Sequence, residues 1–350
     1  MITAKGYAAQ EAKAPLTPFS FERRDVGDKD VLIDIHYCGI CHSDIHQARE
    51  EWGPALFPMV PGHEIVGIVS KVGPEVTKFK AGDIVGVGCF VDSCRRCEPC
   101  TKHLEQFCAE TPTTTYNCME RDGSKLTQGG YSTCIVTNED FVLHIPDNLS
   151  MAGAAPLLCA GITLYSPLKH WQAGPNKKVA IVGLGGLGHM GIKLAHAMQA
   201  EVSVLSHSPS KEEDAKRLGA DKFFALNSEQ AFRNLHNSYD LIINTVSAPL
   251  DWNKYLQLLK LDGAMVVVGV PERNIPISAA TLISNRRSLS GSLVGGIQET
   301  QEMLDFCSKH NITADIEIIP IQQVNEAYER VLKSDVRYRF VIDIASLKNT

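Results

Sequence analysis

At 350 residues the chain is long enough for two domains, each with its own core. Its formal charge of -6 offers no basic face for nucleic acid or for an anionic membrane. An apolar share of 44% beside 21% charged residues is the balance of a globular protein that stays in water. The longest apolar runs, such as 264–270, fall far short of a membrane span. The opening MITAKGYAAQEAKAP has no apolar signal core, so a cytoplasmic protein is expected. Eleven cysteines in such a chain point to metal ligands before disulfides.

Residues 1–150 read as short strands and turns. The run 31–37 alternates as a half-buried strand does, and 64–72 and 84–87 are rich in β-branched residues between frequent glycines. That pattern predicts a strongly bent or barrel-like sheet. Within it lies the stretch 41–64, which begins with Cys41, Ser43 and His46 and ends with Gly62, His63 and Glu64. A thiolate and an imidazole are donors that zinc prefers, and a catalytic zinc takes three protein ligands and keeps one position open. Cys41 and His63 are candidates for two of the three. Ser43 and His46 would stand beside them as protonatable groups. Either ligand alone reads equally well as an ordinary core or surface side chain.

The densest cluster follows: Cys94, Cys97, Cys100 and, after seven more residues, Cys108. Four thiolates on one short lobe suit a closed, tetrahedral, structural zinc site. Disulfides fit poorly in a reducing compartment, and Cys108-Ala109 does not match the ending of a ferredoxin iron–sulfur run. Residues 128–145 return to strand and turn. The apolar run 151–168 then holds Cys159, which reads either as a buried small hydrophobe or as the third ligand of the first site. Spacing does not decide between them.

The character changes at Lys177. A continuous apolar strand, 179–182, runs into Gly183, Leu184, Gly185, Gly186, Leu187 and Gly188, and a helical pattern follows. This is the dinucleotide fingerprint in its required strand–turn–helix context, where glycines let a pyrophosphate approach the backbone. Further strand and helix patterns alternate through 202–205, 211–218, 223–226, 240–246, 252–261 and 264–268, which predicts a doubly wound parallel sheet. No Asp or Glu follows the second strand. Ser206, His207, Ser208 and Lys211 stand there instead, and hydroxyls with a cation suit the 2′-phosphate of NADP. The last sixty residues predict helices at 299–310 and 324–333 and a closing strand at 339–343.

CGICHSDIH (38–46), GHEIVGIVSKVGPEV (62–76), the four-cysteine lobe (94–108), PLLCAGIT (156–163), GLGGLGHMGIKLA (183–195) and YRFVID (338–343) together resemble the zinc-containing medium-chain alcohol dehydrogenases. The likeness is greatest to the cinnamyl alcohol dehydrogenase branch with its bacterial broad-range aldehyde reductases, and it covers nearly the whole chain. It implies an α/β protein in which a GroES-like β-rich catalytic domain, 1–159 and 297–350, flanks a Rossmann doubly wound parallel sheet, 160–296. It implies that Cys41, His63 and Cys159 bind a catalytic zinc with Glu64 beside it. Ser43 would pass a proton from the substrate oxygen, through cofactor ribose hydroxyls, towards His46. Thr163, Thr245, Val246, Val268, Gly269, Val270, Ser292 and Leu293 would approach the nicotinamide half, and Arg339 the pyrophosphate. Trp52, Cys89 and Phe90 are candidates for the substrate wall, and each reads equally well as core.

The implied activity is reversible hydride transfer between NADP(H) and a primary alcohol/aldehyde pair, aromatic or aliphatic. Two zinc ions per chain and a homodimer are expected, with a tetramer as the alternative assembly. A polyol or secondary-alcohol zinc dehydrogenase is the nearest rival. A non-catalytic nucleotide or zinc sensor is the rival from another class, and it would have no need of Ser43 and His46.

Overall fold

The computed structural model describes residues 1–271 and 273–349. The chain forms two compact units, Met1–Ile162 with Gly295–Thr350 and Thr163–Val294.

In the first unit a ten-residue strand, Asp30–Gly39, organises a seven-stranded sheet. It pairs antiparallel with Ile65–Val72, with Cys134–Asn138 and with Arg339–Asp343 near the C-terminus. Ile316–Pro320, Ile84–Val87 and Leu143–His144 complete the sheet, and Ile2–Ala8 pairs with Thr17–Arg23 as a separate hairpin. The strand reading of 31–37 is correct. Val31, Ile33 and Ile35 turn inward as period-2 alternation requires, and they join Ile45, Met59, Ile65, Tyr131 and Phe340 in one core. The chain leaves that central strand directly into the helix His42–Ala48, so Cys41 sits where the sheet hands over to the helix.

The second unit is a six-stranded parallel sheet. Its order is Lys222–Ala225, Glu201–Ser206, Lys178–Val182, Tyr239–Asn244, Leu259–Val267, Ser288–Gly291. The strand order reverses at Lys178–Val182, and in such sheets ligands bind beyond the carboxyl ends of the strands at that reversal. The helix expected over 252–261 is a correction. It spans only Trp252–Leu256, and Leu259 already belongs to the next strand, opposite Tyr239. Short apolar runs do not distinguish helix from strand, and here ladder pairing wins. The C-terminal helices are Ile297–His310 and Val324–Leu332, and the closing strand is Arg339–Asp343, as expected. No single helix among the described residues is long and apolar enough to cross a membrane.

Phe340 is fully buried in the closing strand, with the Arg330 guanidinium 4.6 Å above its ring. Phe340→Ala is expected to cost about 3–5 kcal/mol, a fall of roughly 10 °C in Tm. Calorimetry checks it, and an unchanged Tm would mean the closing strand does not hold the sheet.

Candidate functional site

The first site is built around a side chain that carries no metal. Asp44 occupies the first turn of His42–Ala48, is wholly buried, and accepts from the Cys41 backbone N–H at 2.9 Å. That closes half of a capping box and places negative charge at the positive end of the helix. The same carboxylate accepts from the Gly62 N–H at 3.1 Å, from His63 Nδ1 at 3.0 Å and from the Tyr131 hydroxyl at 3.1 Å. Gly62 must be glycine. Its φ is +105°, and a Cβ there would lie 2.6 Å from the Tyr131 ring and 2.7 Å from Cys38 Sγ. With Nδ1 donating to Asp44, the Nε2 of His63 is left as the donor atom.

Cys41, His63, Glu64 and Cys159 bring ligand atoms within 4.8 Å of one another, all buried. Cys41 Sγ lies 3.8 Å from Cys159 Sγ. The hydrogen bond between the two sulfurs holds Cys41 well below the usual thiol range, while Cys159 is pushed well above it by the same bond. Burial alone would lower His63, but the Asp44 carboxylate overrides it and raises the imidazole well above its ordinary value. Burial pushes Glu64 up to about 7 against the pull of Arg339. Arg339, 4% exposed, is ion-paired with Glu64, yet Glu64 Oε2 has no hydrogen-bond partner. Two soft sulfurs, an imidazole nitrogen and a spare carboxylate oxygen converge, all buried. This donor set fits zinc with a position to spare.

The second set is Cys94, Cys97, Cys100 and Cys108, also within 4.8 Å of one another. Backbone N–H groups aim at its sulfurs: Cys94 at Cys108, Cys97 at Cys94 and Ala109 at Cys97, each at 3.4 Å. The bonds from Ala109 and Cys100 draw the Cys97 thiol down to about 6. Thiolates held this way suit a closed four-sulfur zinc site.

Near the first set, Ser43 Oγ lies 3.6 Å from Cys41 Sγ. His46, one turn on, meets Glu51 through Nδ1 at 2.5 Å and stacks on Trp52 at 4.8 Å. Trp52 is 46% exposed. Cys89 lies beside Cys159 and is lowered chiefly by that thiol's hydrogen bond. Phe90 is buried, with its ring edge-on to Phe141. Asp44, Glu51 and Tyr131 escaped sequence reasoning. Only SDIH hinted at Asp44, as a helix-cap acid.

In the parallel sheet the fingerprint glycines behave as their spacing requires. A Cβ on Gly188 would lie 2.1 Å from the Gly183 carbonyl oxygen, whereas one on Gly185 would meet nothing within 4 Å. Gly185 therefore leaves an open cradle of the kind a pyrophosphate fills. Thr245 Oγ1 donates to the Val182 carbonyl at 2.8 Å, and Val246 packs on Gly183. Lys211 Nζ donates to the Leu184 carbonyl at 2.7 Å, which ties the 206–211 loop to the glycine loop. Ser206 Oγ accepts from the Ser208 N–H at 3.1 Å, and His207 Nε2 lies 3.5 Å from the Tyr255 hydroxyl. Glu201 is at the opposite end of its strand, paired with Lys222. Val268, Gly269, Val270, Ser292 and Leu293 follow the carboxyl ends of the last two strands. Thr163 is buried in the helix Ala160–His170, away from those ends in sequence, and Arg339 lies in the first unit.

Residues 27–147 match the alcohol dehydrogenase GroES-like domain, and residues 186–309 match the zinc-binding dehydrogenase domain. The NADP-dependent alcohol dehydrogenase C 1 of Mycolicibacterium smegmatis is 59% identical over 350 residues, covering 100% of both chains. The chain belongs to the zinc-binding alcohol dehydrogenases. This dehydrogenase is also 53% identical to the aldehyde reductase YahK of Escherichia coli, over 98% of its own length and 99% of that protein. Its fold superposes on a cinnamyl alcohol dehydrogenase from Sorghum bicolor with a TM-score of 0.95, at 47% identity over 98% of each chain.

One zinc ion for each donor set is the expected content of the purified dehydrogenase. Cys108→Ser should lower it to about one per chain and depress the Tm, because a closed site contributes folding free energy. Elemental analysis and a melting curve check this. Unchanged zinc and Tm would remove the four-sulfur site.

Proposed function

We propose that the protein is a zinc-dependent oxidoreductase that reversibly moves hydride between NADP(H) and primary alcohol/aldehyde pairs. The observation that carries the reading is the three-ligand set of Cys41, His63 and Cys159, with a serine hydroxyl standing against Cys41. When bound, zinc supplies a Lewis acid for the substrate oxygen, and the nicotinamide ring gives or takes the hydride. Cys41, His63 and Cys159 would hold the metal, and Glu64 is a reserve carboxylate paired with Arg339. Ser43 accepts the proton of the alcohol at its hydroxyl oxygen. His46 is the exit of that path, and its bond to Glu51 leaves Nε2 as the atom that receives the proton. Ser206, His207, Ser208 and Lys211 are read as the pocket for the 2′-phosphate, and Gly183–Gly188 as the seat of the pyrophosphate. Thr163, Thr245, Val246, Val268–Val270, Ser292 and Leu293 are read as the walls around the nicotinamide half. Arg339 would reach the pyrophosphate only as a second duty.

The unit that holds both cysteine sets is taken as the catalytic domain, and the unit with the parallel sheet as the nucleotide domain. We read the working form as a homodimer. The outer side of Ser288–Gly291 pairs with no strand among the described residues, and Leu261, Ile283 and Leu293 are exposed in the same unit. Such an edge invites a second copy. Eleven cysteines, all unbridged, suit the cytoplasm.

NADPH consumption with aromatic and aliphatic aldehydes, set against oxidation of a polyol, tests the substrate class. Polyol turnover exceeding every aldehyde would favour the polyol reading. Cys159→Ala is expected to abolish turnover while nucleotide binding, followed by calorimetry, persists; retained activity would remove the open metal site. Ser206→Asp should move the NADPH/NADH preference towards NADH by about tenfold, since even a third of a roughly 4 kcal/mol charge repulsion is that large. An unmoved ratio would show that this loop does not choose the cofactor.

A further inference from the structure

We infer that Tyr131 is a positioning residue that sets how tightly the open cluster holds its metal, acting through Asp44. The inference rests on the reading of Cys41, His63 and Cys159 as the metal set. Four hydrogen bonds of 2.9–3.1 Å reach Asp44, two on each oxygen, and Tyr116 lies against the same carboxylate. Oδ1 accepts from the Gly62 N–H and His63 Nδ1, and Oδ2 from the Cys41 N–H and the Tyr131 hydroxyl. Three of those donors belong to the metal ligands or to the residue preceding one. Tyr131 alone among the four comes from a distant segment, 87 residues from Asp44. It is therefore the external reference against which the carboxylate is held.

Tyr131 itself cannot wander. It is 0% exposed, its N–H donates to the Pro61 carbonyl at 3.0 Å, and its own carbonyl accepts from the Tyr7 N–H at 3.0 Å. Its ring fills the space above Gly62. The carboxyl torsion of Asp is broad, with no steep staggered wells. Without the Tyr131 hydroxyl, Oδ2 loses one of its two close hydrogen bonds, and the carboxylate can turn. Any turn carries Oδ1 off the Nδ1–H of His63 and releases the imidazole from the orientation that aims Nε2 at the metal. Loss of a group that orients a metal ligand costs about 10–100-fold in metal affinity. Tyr131 stands one bond further out, so the lower end, roughly tenfold, is expected.

The test is zinc release. The zinc-loaded holoenzyme and Tyr131→Phe are mixed with a chromophoric chelator, and the two ions are followed in time. Phe keeps the ring over Gly62, so the fold is expected to persist. Release from the open set should be about tenfold faster, while release from Cys94, Cys97, Cys100 and Cys108 stays unchanged as the internal reference. In the cobalt-substituted enzyme the d–d absorption of the open site should shift. Ile45→Val, which loosens the core on the same helix without removing any of the four hydrogen bonds to Asp44, is the comparison. Equal acceleration in Ile45→Val with matched loss of Tm would overturn the inference, because general loosening would then suffice. Unchanged release and an unchanged cobalt spectrum in Tyr131→Phe would also overturn it, with the metal set intact. A wild type that holds zinc only at the four-sulfur lobe would overturn the metal reading instead, and this inference with it.

Discussion

A single buried carboxylate, with no lysine or arginine against it among the described residues, holds one corner of the first unit together. Asp44 must be satisfied by hydrogen bonds, because a buried charge left bare is too costly to keep. Meeting that demand fixes four things at once: the start of the helix after Cys41, the turn at Gly62, the tautomer of His63 and the ring of Tyr131. Two of the candidate metal ligands, Cys41 and His63, are thus oriented by one group, and neither can move without disturbing the other. The sheet supplies the rigid floor beneath, since the central strand runs straight into this corner.

The two cysteine sets solve opposite problems. The four-sulfur lobe lies within 15 residues of chain and wraps its sulfurs in its own backbone N–H groups, so it is closed by local geometry. The open set gathers residues from a helix start, a loop and the residue before a helix, and it is finished on one side by a carboxylate rather than a fourth sulfur. Glu64 is held back from full commitment by Arg339, which leaves one carboxylate oxygen without a partner. A site that must admit a substrate needs such an uncommitted corner, whereas a structural site has no use for one.

What could be read from the sequence was what is local. The glycine fingerprint, the C-x-x-C-x-x-C run and the alternation of 31–37 all express their geometry within a few residues, and each stands in the fold as its spacing required. Cys159 was ambiguous because 96 residues separate it from His63; only the tertiary fold brings its sulfur to 3.8 Å from that of Cys41. Asp44, Glu51 and Tyr131 looked like ordinary polar and aromatic residues, since burial and partner are tertiary properties with no sequence period. Arg339 was legible as a functional arginine, but its ion pair with Glu64 spans a separation that no local pattern records. The 252–261 run was misjudged for the converse reason: a short apolar run suits helix and strand alike.

The closing strand has a consequence for how the molecule is made. Arg339–Asp343 pairs with Asp30–Gly39, the Ile40 N–H donates to the Phe340 carbonyl at 2.9 Å, and the Arg339–Glu64 pair links residues 275 positions apart. At about 5–20 residues per second on the ribosome, the first unit waits on the order of tens of seconds for these partners. During that interval the nucleotide unit, whose strands all lie between residues 178 and 291, emerges whole and can fold. Glu64 meanwhile has no guanidinium, and the end of the central strand at Tyr37–Gly39 still awaits the closing strand. The first half of the chain is therefore born with an open sheet edge and a half-built metal pocket, the state in which a nascent chain is most exposed to mispairing and to chaperones.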